Sequence, residues 1–233
     1  KIPFNHRSQY LFNSKINGLD ETDCLLIVGS NVREEAAIIN ARIRKQVISK
    51  DVPVALIGEN FDLTYKYEHL GNDVNILTDI LYDKNEFSKK LTEAKKPMLI
   101  IGQALLNRED SIQIYSLLET FIEKFNMVND EWNGFNVLQL SASRAGSLEV
   151  GCYQKNKNLD DIFDDARNEK VKLLISFGAD EIDYENFEKS KIVYMGTHGD
   201  KGASKADIIL PSAAYTEKDG IYINTEGRPQ FAN

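Results

Sequence analysis

"DCLLIVGSN" (Asp23–Asn31) decides how the chain is to be read. The apolar run Cys24–Val28 has the length of one strand, and Gly-Ser-Asn follows it at once. Next comes "VREEAAIINARIRKQVIS", where Ala36, Ile39, Ile43 and Val47 recur at helical spacing, with acids leading and bases trailing as the helix dipole prefers. A strand without polar alternation has no solvent face, so it belongs in a sheet covered on both sides. A strand that feeds a helix through a glycine turn belongs in a parallel sheet.

The same pattern continues outward. "VPVALIGEN", "KPMLIIGQA", "VKLLISFGADE" and "SKIVYMGTHGD" are further strands that run into glycine turns, and "ADIILPSAAY" is a last parallel-type strand stopped by Pro211. "ILTDILY", "NEFSKKLTEAKK", "REDSIQIYSLLETFIEKFN" and "NLDDIFDDARNEK" read as helices. Residues 1–20 read as an N-terminal arm. Between Asp130 and Asn158 the pattern is irregular, with one short strand in "GFNVLQL" and a loop in "ASRAGSLEVGCYQ". The expected fold is α/β, a doubly wound and mostly parallel sheet with helices on both faces. "LLIVGSNVREEA" and "LLISFGADEIDYE" resemble each other, so two Rossmann-like halves are expected, roughly 21–130 and 159–233, joined by the irregular segment. Ligands in such sheets sit beyond the carboxyl ends of strands. That singles out the turns at Gly29, Gly58, Gly102, Gly178 and Gly196.

Charge and motifs exclude most chemistries. The net charge is −8, with no basic stripe, so nucleic acid is not an expected partner. No apolar run approaches the ~20 residues of a membrane span, and no signal peptide is visible. G-x-G-x-x-G, G-K-[ST] and G-x-S-x-G are all absent. Tyr153 and Lys157 have a Y-x-x-x-K spacing, which means little without the glycine fingerprint. His198, in "GTHGDKGA", lacks an evident orienting partner, and His6 and His69 stand apart from it. "DDIFDD" reads as a solvated helix face. Cys24 reads as core, Cys152 stands alone, and a cysteine-ligated iron–sulfur cluster needs about four thiolates. Neither a metal site nor a catalytic residue is expected.

The tail, "TEKDGIYINTEGRPQ" (216–230), holds two acid–glycine turns around the alternating run Ile221–Asn224. Arg228 presents a forked donor there, suited to a carboxylate or phosphate, or to pairing with Glu217 or Glu226.

The tail also carries a resemblance. "ADIILPSAAYTEKDGIYINTEGRPQ" resembles the ILP…E-x-x-G-x-x-x-N-x-E-G-R-x-Q signature of the molybdopterin oxidoreductase superfamily. With "WNGFNVLQLSASRAGSLEVG" and "GTHGDKGASKADIILP", the chain is similar to the branch formed by the large, 75-kDa iron–sulfur subunits of respiratory complex I. The resemblance implies a soluble part of the peripheral arm, where electrons pass from NADH to ubiquinone. Iron–sulfur clusters and FMN are then expected in partner chains, and the cluster-bearing N-terminal half and other hydrophilic-arm subunits are the expected partners. Molybdenum enzymes of the superfamily tend to carry G-x-N-P at the cofactor-facing turns. Here the first reads Gly29-Ser30-Asn31-Val32, and the second, Gly178-Ala179-Asp180-Glu181, sets two carboxylates where a pyrophosphate would lie. A vestigial cleft near these residues and Arg228, holding no cofactor, is the expectation. The alternatives are a molybdopterin-dependent, formate-dehydrogenase-like fragment and a free-standing small-molecule binding module. Starting without Met, the chain is expected to be a piece of a processed or split polypeptide. Its wealth of Lys, Asn and Ile suits an AT-rich genome, and the expected location is the matrix side of the mitochondrial inner membrane or the cytoplasmic face of a bacterial one.

Overall fold

β1 (Cys24–Val28) is buried at all five positions, as its composition demands, and the first sheet is built outward from it. A computed structural model describes residues 6–152 and 157–233. These fall into two units. The first is residues 1–152 with 222–230, and the second is residues 153–221 with 231–233.

In the first unit β1 leads through α1 (Val32–Glu35) and α2 (Ala37–Lys50) to β2 (Val54–Ile57) and β3 (Glu68–Gly71). α3 (Asn75–Leu81) and α4 (Phe87–Glu93) return the chain to β4 (Pro97–Ile101); α5 (Gln103–Leu106) and α6 (Ser111–Lys124) precede β5 (Phe135–Val137), and α7 (Arg144–Glu149) follows. The strand order is β3-β2-β1-β4-β5, and every pairing is parallel. Apolar alternation sends Cys24, Leu26 and Val28 to one core with α3, α4 and α6, and Leu25 and Ile27 to another with Ile39 and Ile43 of α2. This is the doubly wound arrangement: the strand order turns around between β1 and β4, and both faces are covered.

In the first unit three local readings differ from the structure. The single helix expected after Asn31 is broken at Ala36, whose φ/ψ of −152/63° leave the helical region. β3 went unread because its residues are exposed or half-buried and lack an apolar run. "ASRAGSLEV" contains α7 instead of a loop. Ala145 and Leu148 pack on Tyr10 and Leu11, and tertiary burial outweighs the weak propensity of a Gly- and Ser-bearing turn. The N-terminal stretch is irregular but buried at Tyr10, Leu11, Phe12 and Leu19. It lines the open edge of β5: Val137 N–H donates to Leu11 O at 3.0 Å, and Ser14 N–H donates to the Asn136 side chain at 2.9 Å. An edge paired in this way no longer offers a template for aggregation.

The second unit runs α8 (Leu159–Arg167), β6 (Leu173–Phe177), a 3-10 turn at Tyr184–Phe187, β7 (Lys191–Gly196), α9 (Lys201–Lys205) and β8 (Ile208–Pro211). Its strands stand in the order β6-β7-β8, again parallel, with Ile175 opposite Val193 and Val193 opposite Ile208. Ala166, Tyr184, Phe187 and Ile192 form its core. β6 was expected to be buried throughout. It is a strand, but only Ser176 on it is fully buried. The tail makes the expected hairpin, β9 (Gly220–Ile223) and β10 (Pro229–Ala232).

At the fork between β1 and β4 the backbone itself is the packing element. A Cβ on Gly102 would lie 2.0 Å from the carbonyl oxygen of Gly29 and 2.8 Å from Ser30 Cβ. Gly102→Ala is therefore expected to destabilise the first unit by about 3 kcal/mol, at the upper end of overpacking costs. Gly199→Ala, where an added Cβ meets nothing within 4 Å, is the control, and urea unfolding of the two variants measures the difference.

Candidate functional site

The turn after β1 bends through Gly29 at φ +65°, a conformation that favours glycine. The amide that follows would ordinarily be open to an anion, as at other helix starts. Here it is taken. Asn31 N–H donates to Glu35 Oε1 at 3.0 Å, and Ser30 Oγ donates to Glu35 Oε2 at 2.7 Å. One short helical turn, Val32–Glu35, is enough to swing the carboxylate back onto its own start. The spacing of Asn31 and Glu35 is one residue longer than a capping box, and that near-match is the signal by which Glu35 could have been found from the sequence.

The turn after β6 has the same backbone. Gly178 takes φ +62° and donates its N–H to Met195 O at 2.7 Å. Asp180 accepts from Lys201 N–H at 3.2 Å and from Gly202 N–H, so its carboxylate sits on the first amides of α9. The preceding Ala179 carbonyl is fixed by the Tyr184 hydroxyl at 2.7 Å and the Ser176 hydroxyl at 2.5 Å. Glu181 is exposed. Of the acid pair read from the sequence, Asp180 thus has a defined acceptor role.

Gly29, Ser30, Asn31 and Arg228 belong to the first unit, and Gly178, Asp180 and Glu181 to the second. Arg228 serves the hairpin itself. Its Nε donates to Glu226 Oε1 at 2.6 Å, while Ile16 N–H donates to the other oxygen of Glu226 at 2.7 Å. Asn224 Oδ1 gathers the amides of Glu226 and Arg228 at 3.2 and 2.9 Å. Gly227, at φ +73°, offers its carbonyl to Arg7 Nη2 at 3.0 Å; a Cβ there would lie 2.6 Å from that nitrogen. Arg7 in turn donates through Nε to Glu149 at 2.8 Å, and the Tyr10 hydroxyl donates to the same carboxylate at 2.8 Å. The turn chemistry of the tail thus clamps residues 7–16. Burial alone would push the Glu226 carboxyl up; the Ile16 amide, Asn224 and Arg228 outweigh it and hold the group below the usual range. The Arg7 guanidinium, with help from Tyr10, holds Glu149 low against its burial.

The remaining candidates have structural partners. His69 Nε2 lies 2.7 Å from Gly58 O, so that nitrogen carries the proton and pins the glycine turn after β2. His198 Nδ1 lies 2.7 Å from its neighbour Thr197 Oγ1, in the exposed turn after β7. His6 N–H donates to the Gln9 side chain at 3.1 Å. In "DDIFDD", Asp161 and Asn158 cap α8 reciprocally, Asp164 pairs with Arg167, and Asp165 pairs with Lys157 and Lys170. Asp161, Asp164 and Asp165 thus serve a cap and ion pairs. Cys24 is buried in the first core, and burial pushes its thiol up to about 12. Tyr153, and with it the Y-x-x-x-K pair, lies outside the described residues. Among the described residues no three His, Cys, Asp or Glu side chains form a metal-holding group, and no helix is long and apolar enough to cross a membrane.

Two glycine turns at the ends of parallel strands, one leading into α1 and the other carrying Asp180 onto the start of α9, are the frame on which comparison with known proteins bears. The family described as molybdopterin oxidoreductase matches residues 2–233. The chain belongs to that family. Among curated relatives, an NADH-quinone oxidoreductase subunit of Rickettsia bellii is 42% identical over 232 residues, covering 100% of this chain and 33% of the relative. The mitochondrial NADH-ubiquinone oxidoreductase 78 kDa subunit of Neurospora crassa is 44% identical over 228 residues, 97% of this chain and 29% of the relative. The NADH-ubiquinone oxidoreductase 75 kDa subunit of Reclinomonas americana is 41% identical over 226 residues, 96% and 32%. This molybdopterin oxidoreductase domain therefore spans about a third of the length of the relatives it matches.

The clamp generates a prediction. Glu226→Ala leaves the Ile16 amide unpaired in a nearly buried place and is expected to cost about 2–3 kcal/mol. Arg228→Ala, which removes an exposed guanidinium, is expected to cost about 0.5–1 kcal/mol. Because Glu226 and Glu149 are held low, the folded form binds fewer protons than the unfolded chain just below the reference value of 4.5. Stability is then full above that pH and falls as pH drops through the folded values. Urea unfolding between pH 7 and pH 3 checks this, and Glu226→Gln is expected to flatten the acid slope.

Proposed function

We propose that this chain is part of the large subunit of complex I, an NADH:quinone oxidoreductase, and acts there as a non-catalytic structural and assembly element of the peripheral arm. The observation that carries the reading is similarity along essentially the whole chain to proteins named as subunits of that enzyme in bacteria and mitochondria. In this reading residues 21–130 and 159–233 are two halves of one nucleotide-type fold, with residues 1–20 as its arm. The chain supports electron transfer from NADH to ubiquinone without touching the electrons. Iron–sulfur clusters and FMN lie in other parts of the complex, including the cluster-bearing N-terminal half, and the location is the matrix side of the inner membrane or its bacterial equivalent.

The family otherwise holds a molybdopterin dinucleotide, whose pyrophosphate would seek the amides at such turns. The residues present do not fit it. Glu35 already accepts from Asn31 and Ser30, and Asp180 from Lys201 and Gly202. A phosphate ~4 Å from either carboxylate would meet about 4 kcal/mol of repulsion at an effective dielectric of 20. The first turn also carries Val32 in place of the family's proline. No redox step is assigned to this chain.

Affinity purification through this chain from solubilised native membranes tests both halves of the proposal. The expected result is co-migration with a very large assembly that contains flavin and iron–sulfur chains, with neither molybdenum nor tungsten nor extractable fluorescent pterin. Stoichiometric molybdenum with pterin would replace the scaffold reading by the cofactor-binding alternative; migration as a free small protein would leave a stand-alone module. Glu35→Ala and Asp180→Ala are each expected to cost about 1–2 kcal/mol, as lost helix caps do. Each is expected to leave NADH oxidation per assembled complex within about twofold of the parent, since a catalytic group typically contributes 100-fold or more.

A further inference from the structure

The two long helices of the first unit treat their outer faces differently. α6 packs Ile114, Leu118 and Phe121 inward and, beyond its first turn, exposes Ser116, Glu119 and Glu123. That is the ordinary amphipathic arrangement. α2 packs Ile39 and Ile43 inward, yet its outer face is apolar too. Ile38 is 70% exposed and Ile48 64%, with Ala41 exposed between them. Together with Lys45 these residues stand at i, i+3, i+7 and i+10, the spacing of a helix–helix seam. They form one stripe on the side away from the core. A helix that is apolar on opposite sides is suited to burial on both.

The outer face is also charged in one sense. α2 carries Arg42, Arg44, Lys45 and Lys50 and no acid, in a chain whose net charge is −8. The Asp20 carboxylate beside it accepts from Arg42 at 2.8 Å and from the Gln46 amide at 2.9 Å, and Lys45 stands off at 3.9 Å. Lys50 donates to the Asp20 carbonyl, and its place in the last turn suits the helix dipole. Arg44 Nε donates to Thr64 O at 3.2 Å, and Arg44 pairs with no carboxylate among the described residues. The dipole acts within the last turn and gives no reason for cations at mid-helix. Arg44 and Lys45 therefore leave positive charge in surplus along the apolar stripe.

We propose that the outer face of α2 docks an acidic, amphipathic helix of a different polypeptide in the assembly. Ile38, Ala41 and Ile48 meet its apolar positions, and Arg44 and Lys45 meet its carboxylates. Charge selects this occupant. Covering the two cations without supplying acids would leave them desolvated and unpaired, which is costly. A second copy of the chain would match the patch with itself about a two-fold axis and set cation against cation. Apolar anchors beside an arginine are the composition of a contact between separate chains, whereas a fold's own core is depleted of charge. Ala41, at the centre of the stripe, lets the two backbones approach toward the lower end of the ~8–10 Å range of packed helices. The proposal rests on the reading of this chain as a subunit of a large assembly.

The test uses the complex assembled in its native membrane and purified intact. Benzoylphenylalanine is placed at Ile48 and, in a second variant, at Ile38; both side chains are exposed, so neither change enters the core. Irradiation is expected to join both positions to one different polypeptide, within a segment richer in acids than in bases. The two sites on that segment are expected about ten residues, or about 15 Å of helix, apart. Cross-links to the same polypeptide, to an isotope-marked second copy or to a basic segment overturn the proposal, as does the absence of any cross-link. Lys45→Glu is expected to lower the yield from position 48 by about tenfold or more, because it sets like charges face to face. An unchanged yield overturns the choice of an acidic partner. Urea unfolding of Lys45→Glu is expected to match the parent, as exposed substitutions usually do, so the loss reads docking and not folding. Migration of the chain as a free small protein overturns the subunit reading and this proposal together; any of the other adverse results, found within the assembly, overturns this proposal alone.

Discussion

A helix-start amide satisfies one acceptor at a time, and in this chain the acceptor is supplied from within. Glu35 accepts from the amide of Asn31, and Asp180 accepts from the first amides of α9. In each case a carboxylate supplies the negative charge that a helix start favours. A tethered carboxylate holds such a place at an effective concentration that a free ligand rarely matches.

The same economy governs the tail. Residues 224–228 lie more than 200 positions from the stretch they hold, yet one carboxylate, two carbonyls and one asparagine side chain organise the contact. Closing so long a loop costs only slightly more entropy than closing a loop half its length. A few well-directed bonds to backbone amides therefore suffice. The contact makes the N-terminal stretch part of the first unit and, through it, guards the edge of β5.

Much of this was legible in the residues. Cys24–Val28 and Pro97–Ile101 are unbroken apolar runs and are buried at every position, because a central parallel strand has no polar side. The glycine turns were equally plain. Glu35 was missed because its role depends on a helix of one turn that reverses its own side chain, and helical periodicity is blind to so short an element. α7 was missed because Gly146 and Ser147 argue against a helix locally, while Leu148 gains more by packing. The clearest divergence is β6. "LLISF" is nearly as apolar as β1, but composition reports what a strand can bury, not whether the covering layer belongs to the same stretch of chain.

The two thiols divide sharply in character. Cys24 lies in the sealed interior of the first unit with its proton firmly held, whereas Cys152 is exposed. Maleimides and other thiolate-seeking reagents therefore meet one addressable sulfur in the native chain. A single spin label or fluorophore can be installed there without mutating anything, and its spectrum would follow assembly from the viewpoint of one known atom. Reaction of the second sulfur would, conversely, time the moment at which the first core opens.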